Sequence, residues 1–222
     1  MSILLRLSCF FYFRHHNRVK CFVLPLIIDF VKILKYPHPI LQYKCKPLQK
    51  INQELRSIVA EMFETMYAAA GVGLAANQVG LPFQLFVMHA TGNKETTEEE
   101  YVFINPVILK KNGKALDNEG CLSFPDIHAD VIRSEVIEVE SISLSGEVQH
   151  FKWKDRPARI VQHEIDHLNG IGFVDHLSET GTRKIRSELD DMCAIFEGDL
   201  RLGFVAPETE MQALEEYARK FC

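Results

Sequence analysis

His163, Glu164, Ile165, Asp166 and His167 put two imidazoles four residues apart, with a carboxylate beside the first. On a helix such positions share a face, so both rings can reach one cation. Glu164 then stands where it can take and return the proton of a water on that cation. Two imidazoles leave a cation short of a third protein ligand. Glu119-Gly120-Cys121-Leu122-Ser123 offers one in Cys121, because a thiolate is a strong donor to divalent metals. Gly120 permits a tight backbone there, which would let the N–H of Leu122 point at a substrate. Read alone, Cys121 would be a buried structural cysteine. The alternative third ligand is Glu188, which would make the chain a zinc endopeptidase. A further known spacing fits at Gly170 but fails at Phe173, where it requires a histidine.

A third stretch, Gly71-Val72-Gly73-Leu74-Ala75-Ala76-Asn77-Gln78, formally matches the dinucleotide fingerprint G-x-G-x-x-A. Its glycines follow a helical pattern rather than a strand, and no βαβ unit surrounds them, so that reading fails. Small residues suit a backbone passing close to a ligand or to another element. Gln78 is the side chain here able to donate into a cleft; the plain alternative is an exposed polar residue.

The elements that must position these residues can be read from periodicity. Ile51 to Ala69 predicts a helix with Leu55, Ile58, Val59, Met62, Phe63 and Met66 on one stripe, ended by a left-handed Gly71. Leu85 to Met88 reads as a buried strand, Thr91 to Glu100 as a solvated loop, and Tyr101 to Asn105 as a strand stopped by Pro106. Val136 to Leu144 changes apolar phase between Val139 and Ile142, which predicts a bulge; Ser145-Gly146 turns the chain into a return strand at Val148 to Trp153. Asp155 then caps the helix that carries the histidines, with Pro157 in its first turn and Gly170 as its stop. Strands before and after this helix, without βαβ alternation, argue an α+β fold of mixed or antiparallel strands packed around a central metal-binding helix.

The chain has 222 residues, 47% apolar and 25% charged, enough for one large domain with a full core. A formal charge of −5 gives no ground for DNA or an anionic membrane as partner. Six scattered cysteines without a C-x-x-C pair fit a reducing compartment. Residues 1–28 contain no acid but carry Arg6, Arg14, Arg18 and Lys20, and Arg14-His15-His16-Asn17-Arg18 splits two apolar runs, Ile3 to Phe13 and Cys21 to Ile28. Neither run is long enough to span a bilayer, and neither fits a signal peptide, so an extension outside the fold is expected. Residues 29–178 are expected to form the catalytic domain. Residues 179–222 are expected to form a helical tail, with Ile185, Leu189, Met192, Cys193 and Phe196 on one face and Met211, Leu214 and Tyr217 on another.

Taken together, the three motifs resemble the signature of the peptide deformylase family: G-x-G-x-A-A-x-Q, E-G-C-x-S and Q-H-E-x-D-H. They stand here in family order as Gly71 to Gln78, Glu119 to Ser123 and Gln162 to His167, and the resemblance runs from about Val31 to about Ser178. It implies a hydrolase that removes the formyl group from the initiator methionine of nascent N-formylmethionyl polypeptides, releasing formate. It implies Cys121, His163 and His167 as metal ligands, usually of Fe(2+), with Zn, Ni or Co as substitutes. It implies Glu164 as the proton carrier, with Gln78 and the backbone N–H of Leu122 holding the carbonyl oxygen. Val72, Gly73 and Ile160, beside the motifs, are expected to line the methionine pocket. The tail would be placed to meet the ribosome, and the compartment would be the cytoplasm or an organelle. Asn77, Asp126, Gln42 and the Arg156-Pro157 pair depart from the common pattern. The third option is a metal- or peptide-binding module without turnover.

Overall fold

A computed structural model describes residues 32–92, 96 and 99–222. The expected N-terminal extension lies outside them, as does part of the expected loop at 91–100. Strands β1 (Gly73–Ala75), β2 (Leu85–His89), β3 (Glu100–Asn112), β6 (Val136–Ile142) and β7 (Val148–Lys154) form one antiparallel sheet in the order β1-β2-β3-β6-β7. Between β3 and β6, strands β4 (Ala115–Cys121) and β5 (Phe124–Arg133) make a separate antiparallel hairpin. Helices α1 (Gln53–Ala68) and α2 (Asp155–Leu168) pack on opposite faces of the large sheet, and α3 (Glu179–Lys184), α4 (Arg186–Leu202) and α5 (Pro207–Phe221) follow. The fold is α+β with antiparallel sheets.

The two faces of β2 explain its unbroken apolar run. Leu85 and Val87 pack with the α1 stripe, while Phe86 and Met88 pack with Ala158, Val161 and Leu168 of α2. A strand covered on both sides has no polar face to alternate with. The α1 stripe itself is buried as the spacing predicts, and Asn52 caps the helix by accepting from the N–H of Leu55.

Four local expectations are corrected. The left-handed residue after α1 is Ala70 (φ 54°), not Gly71. At Gly71 a Cβ would lie 2.6 Å from the end of the Leu122 side chain, which would have to turn aside. Pro106 does not end its strand. Asn105 takes φ 49° and the register slips between Ile104 and Val107, so the proline sits in a bulge where no ladder N–H is needed. Both register shifts of the β3–β6 pair put the extra residue on β3, whereas β6 pairs with β7 without interruption. The phase change on β6 instead marks a change of core: Val139 faces α2, and Ile142 packs with the α1 cluster. Finally, Lys154 is the N-cap of α2, and Asp155 (φ 54°) uses its N–H on Glu135 O rather than capping with its side chain. Gly170 does stop α2, at φ 75° and with the carbonyl of Gln42 where a Cβ would stand.

Candidate metal centre and active site

The inner half of α2 presents His163, Glu164 and His167, all buried, toward the β4–β5 hairpin and β1. The end of β4 brings Cys121 to the same place. One ligand atom from each of Cys121, His163 and His167 lies within 4.8 Å of the others, and Cys121 Sγ is 3.1 Å from His167 Nε2. A thiol and two imidazoles suit a small divalent cation such as iron or zinc. Glu188 is exposed on α4 and belongs to no such cluster among the described residues.

Glu164 lies against β1, and Gly73 is the reason it can. A Cβ on Gly73 would be 2.3 Å from Glu164 Oε1. The other carboxylate oxygen, Oε2, is buried with no hydrogen-bond partner among the described residues. A buried oxygen without a partner is costly unless water or substrate supplies one. Burial, with Glu119 and Asp166 nearby, outweighs the opposing pull of His163 and Arg133 and pushes the Glu164 carboxyl up to about 7.

Gln78 is buried, not exposed. Its Oε1 accepts from the N–H of Ala75 at 2.9 Å, and its Nε2 donates to Ser123 Oγ at 3.0 Å and toward Cys121 Sγ at 3.6 Å. The amide is thereby fixed beside the thiol. Its neighbour Asn77 donates to the carbonyl of His167 at 2.5 Å, so the departure at this position still ties β1's end to α2.

Glu119 is the residue that spacing alone leaves without a role. Buried between hairpin and helix, it accepts from His163 Nδ1 at 3.1 Å, from Arg133 Nε at 2.9 Å and Nη2 at 3.0 Å, and from Arg159 Nη1 at 2.6 Å. A carboxylate on one ring nitrogen of a ligating histidine fixes the tautomer and turns the other nitrogen to the metal. Burial alone would raise this carboxyl, but the hydrogen bonds from His163 and Arg133 hold it well below the usual range. Burial opposes charge on His163, yet Cys121 and Glu119 hold its value well above the ordinary one; burial and His163 hold His167 well below. The rule that such a histidine wants a carboxylate could have singled out Glu119, two residues before Cys121. Nothing in the sequence marks Arg133 or Arg159 as its partners.

A cleft of about 570 Å³ opens onto these groups. Val72, Gly73, Leu122, Phe124 and Ile160 line it with Cys121 and His163, and Arg156 and His128 line it as well. Asp126, where the family pattern often has glycine, takes φ 61°. It lies in the irregular stretch between the Cys121–Phe124 and Gly120–His128 pairs of the hairpin, a backbone position that glycine fills without strain.

Residues 30–183 match the family model of polypeptide deformylase. The chain belongs to that family. Its members are hydrolases that remove the formyl group from nascent peptides, and this chain is one of them. A peptide deformylase of Acidobacterium capsulatum is 43% identical over 146 residues, covering 66% of this chain and 85% of the relative. A rice relative, peptide deformylase 1B, chloroplastic, is 39% identical over 180 residues, covering 81% of this chain and 66% of the relative. The crystal structure of a plant peptide deformylase superposes with a TM-score of 0.74 at 38% identity, covering 76% of this chain and 92% of that one. The family depends on a metal. No helix among the described residues is long and apolar enough to cross a membrane.

Proposed function

We propose that Cys121, His163 and His167 hold one divalent cation, natively Fe(2+), and that the groups around it deformylate N-formylmethionyl chains. The observation that carries this reading is the meeting of three donor atoms from two separate elements beside the unpartnered Oε2 of Glu164. The cation would acidify water and polarise the formyl carbonyl, lowering the pKa of water from 15.7 toward ~7. Zinc, nickel or cobalt would satisfy the same donors; iron is taken from the family.

The remaining chemistry belongs to the chain. Glu164 accepts the proton of the attacking water and delivers it to the amine nitrogen as the C–N bond breaks, leaving formate and a free N-terminus. Its carboxylate occupies the space that a side chain on Gly73 would fill, which holds it at the edge of the cleft. Gln78 Nε2 and the N–H of Leu122 donate to the carbonyl oxygen as it gains charge, and preorganised donors of this kind are worth about 10²–10³ in rate each. Val72 and Ile160 form the apolar walls against which the methionine side chain lies, and Gly73 lets the substrate backbone approach.

The reaction calls for a supply of nascent chains in a reducing compartment, the cytoplasm or an organelle. The ribosome contact expected of the tail falls to α4 and the turn after it. Ile195, Leu202 and Phe204 are exposed there, whereas α5 turns its apolar face inward. Glu188, Asp190, Asp191, Glu197 and Asp199 on α4 would repel RNA phosphates, so the partner surface is protein.

The deciding experiment measures formate released from formyl-Met-Ala-Ser by the iron-loaded protein under anaerobic conditions, together with its metal content. Turnover by the wild type, loss of bound metal in Cys121→Ala and retention of metal in Glu188→Ala are expected. Metal kept by Cys121→Ala and lost by Glu188→Ala would return the site to the endopeptidase reading. A loaded protein that releases no formate would return it to a binding module.

A further inference from the structure

On α2 the cleft is lined by Arg156, Arg159, Ile160, His163 and Glu164, and by nothing beyond Glu164. From the proposed ligands it therefore opens toward the start of that helix. The lining on β4 likewise runs outward from Cys121 to Asp117. A substrate whose formyl group sits at the ligands extends the rest of its chain on that side. Arg156, Ile160 and Glu164 are four apart on α2 and share one face, with about 6 Å of rise between neighbours in the series. In an extended peptide alternate side chains point the same way, about 6.8 Å apart. The two spacings nearly coincide. A chain whose first residue, methionine, lies on Ile160 thus turns its third side chain toward Arg156 and its second away.

The charge at that position is unspent. Arg156 is exposed and pairs with no carboxylate among the described residues. Arg159, by contrast, is buried, donates to Glu119 at 2.6 Å and lies 3.8 Å from Asp117. The carboxylates of β4 therefore have a cation of their own, which leaves the Arg156 guanidinium to a ligand. Asp126 lines the cleft from the hairpin, and Lys35, bonded to the carbonyl of Leu122 at 2.5 Å, lines it with the opposite charge. The chain as a whole carries −5, so a free guanidinium at its cleft runs against the overall balance.

We propose that Arg156 is a specificity-determining residue, its guanidinium selecting formylmethionyl chains that carry an acidic side chain at the third position. The inference rests on the proposed site, with the formyl group at the ligands and the methionine against Val72 and Ile160. Arg156 stands away from the reacting atoms, so it holds substrate and transition state alike. Its effect belongs in KM rather than kcat.

The test measures formate release by iron-loaded wild type, Arg156→Leu and Arg156→Glu from two pairs of amidated peptides. One pair is formyl-Met-Ala-Glu-Ser and formyl-Met-Ala-Lys-Ser; the other places the same two residues at the second position. In the wild type at low salt the third-position glutamate should exceed lysine in kcat/KM by about 3- to 10-fold, through KM, and the ratio should shrink as salt is added. Arg156→Leu should abolish the preference and Arg156→Glu should reverse it. The second-position pair should differ less. Equal kcat/KM for the third-position pair in the wild type overturns the proposal, as does a preference that Arg156→Glu leaves in place or one that is larger at the second position. Formate from none of the four peptides removes the site on which the proposal rests. Turnover of all four at equal rates removes only the role of Arg156.

Discussion

As the proposed proton carrier, Glu164 must meet two requirements at once: it has to reach the reacting atoms and also gain and lose its proton readily. The first is met by Gly73, whose missing side chain leaves room for the carboxylate. The second follows from burial, which brings the carboxyl close to neutrality. Glu164→Gln keeps the size and the contact with Gly73 but cannot accept the proton. The expected result is a fall in kcat of about 10²–10⁴ with metal content unchanged, read from formate release and metal analysis on the same preparation. A variant that loses its metal, or keeps its rate, would assign Glu164 a different task. At this scale the cluster of Cys121, His163 and His167, with Glu164 beside it, was legible, because helical spacing and donor chemistry are local properties of the sequence. The carboxylate that orients His163 was not assigned, since Glu119 reaches the ring only through the pairing of β4 with β5 and its packing on α2.

Elements were legible where burial is one-sided. The α1 stripe and the stop at Gly170 follow directly from pattern and from glycine. The β4–β5 hairpin did not declare itself, because Asp117, Asn118, Glu119 and Gly120 give no apolar alternation; β4 is held by a polar network centred on Glu119, while Phe124, Ile127 and Val131 of β5 pack with Phe173 and Ile185. Pro106 misled for a related reason, since a bulge removes the need for the N–H that proline lacks. After the short α3, the two longer helices of the tail have different surroundings. Phe221 is fully buried in the α1 cluster, its ring 5.2 Å from that of Phe83, and His38, Lys46 and Glu54 pair with Glu210, Glu215 and Lys220. Removing α5 would therefore strip the core, at a cost of about 3–5 kcal/mol for the phenylalanine alone. It would say nothing clear about partners. Leu202→Asp combined with Phe204→Asp touches only exposed positions, so stability should move by no more than roughly 0.5 kcal/mol. Sedimentation with ribosomes should fall several-fold if α4 makes the contact; an unchanged binding curve would leave the tail as packing for this chain alone.

Across the whole molecule, the proposed metal ligands join two parts that are already joined without them. Cys121 comes from the hairpin and both histidines from α2, but Arg133 and Arg159 also span this junction. Arg159, on α2, donates to Glu119 and to the carbonyls of Val131 and Ala115, while Arg133, on β5, pairs with Glu119 and with Asp166 of α2. The two large apolar clusters on either face of the main sheet contain none of the ligands. Metal binding to the native state should then add stability without creating the fold, unlike small zinc domains that unfold when stripped. With free metal at a hundred times its Kd the gain is about 2.7 kcal/mol. For a chain of this size that corresponds to a midpoint shift of about 5–10 °C. Thermal melts of the loaded and chelated protein, with far-UV circular dichroism at 25 °C, measure both halves of the expectation. The chelated form should keep its helix and sheet signal and melt cooperatively at the lower temperature, with the loss of amide protection concentrated at the end of the β4–β5 hairpin. If chelation instead abolished the cooperative transition, the arginine network would carry far less of the junction than its buried hydrogen bonds to Glu119 imply.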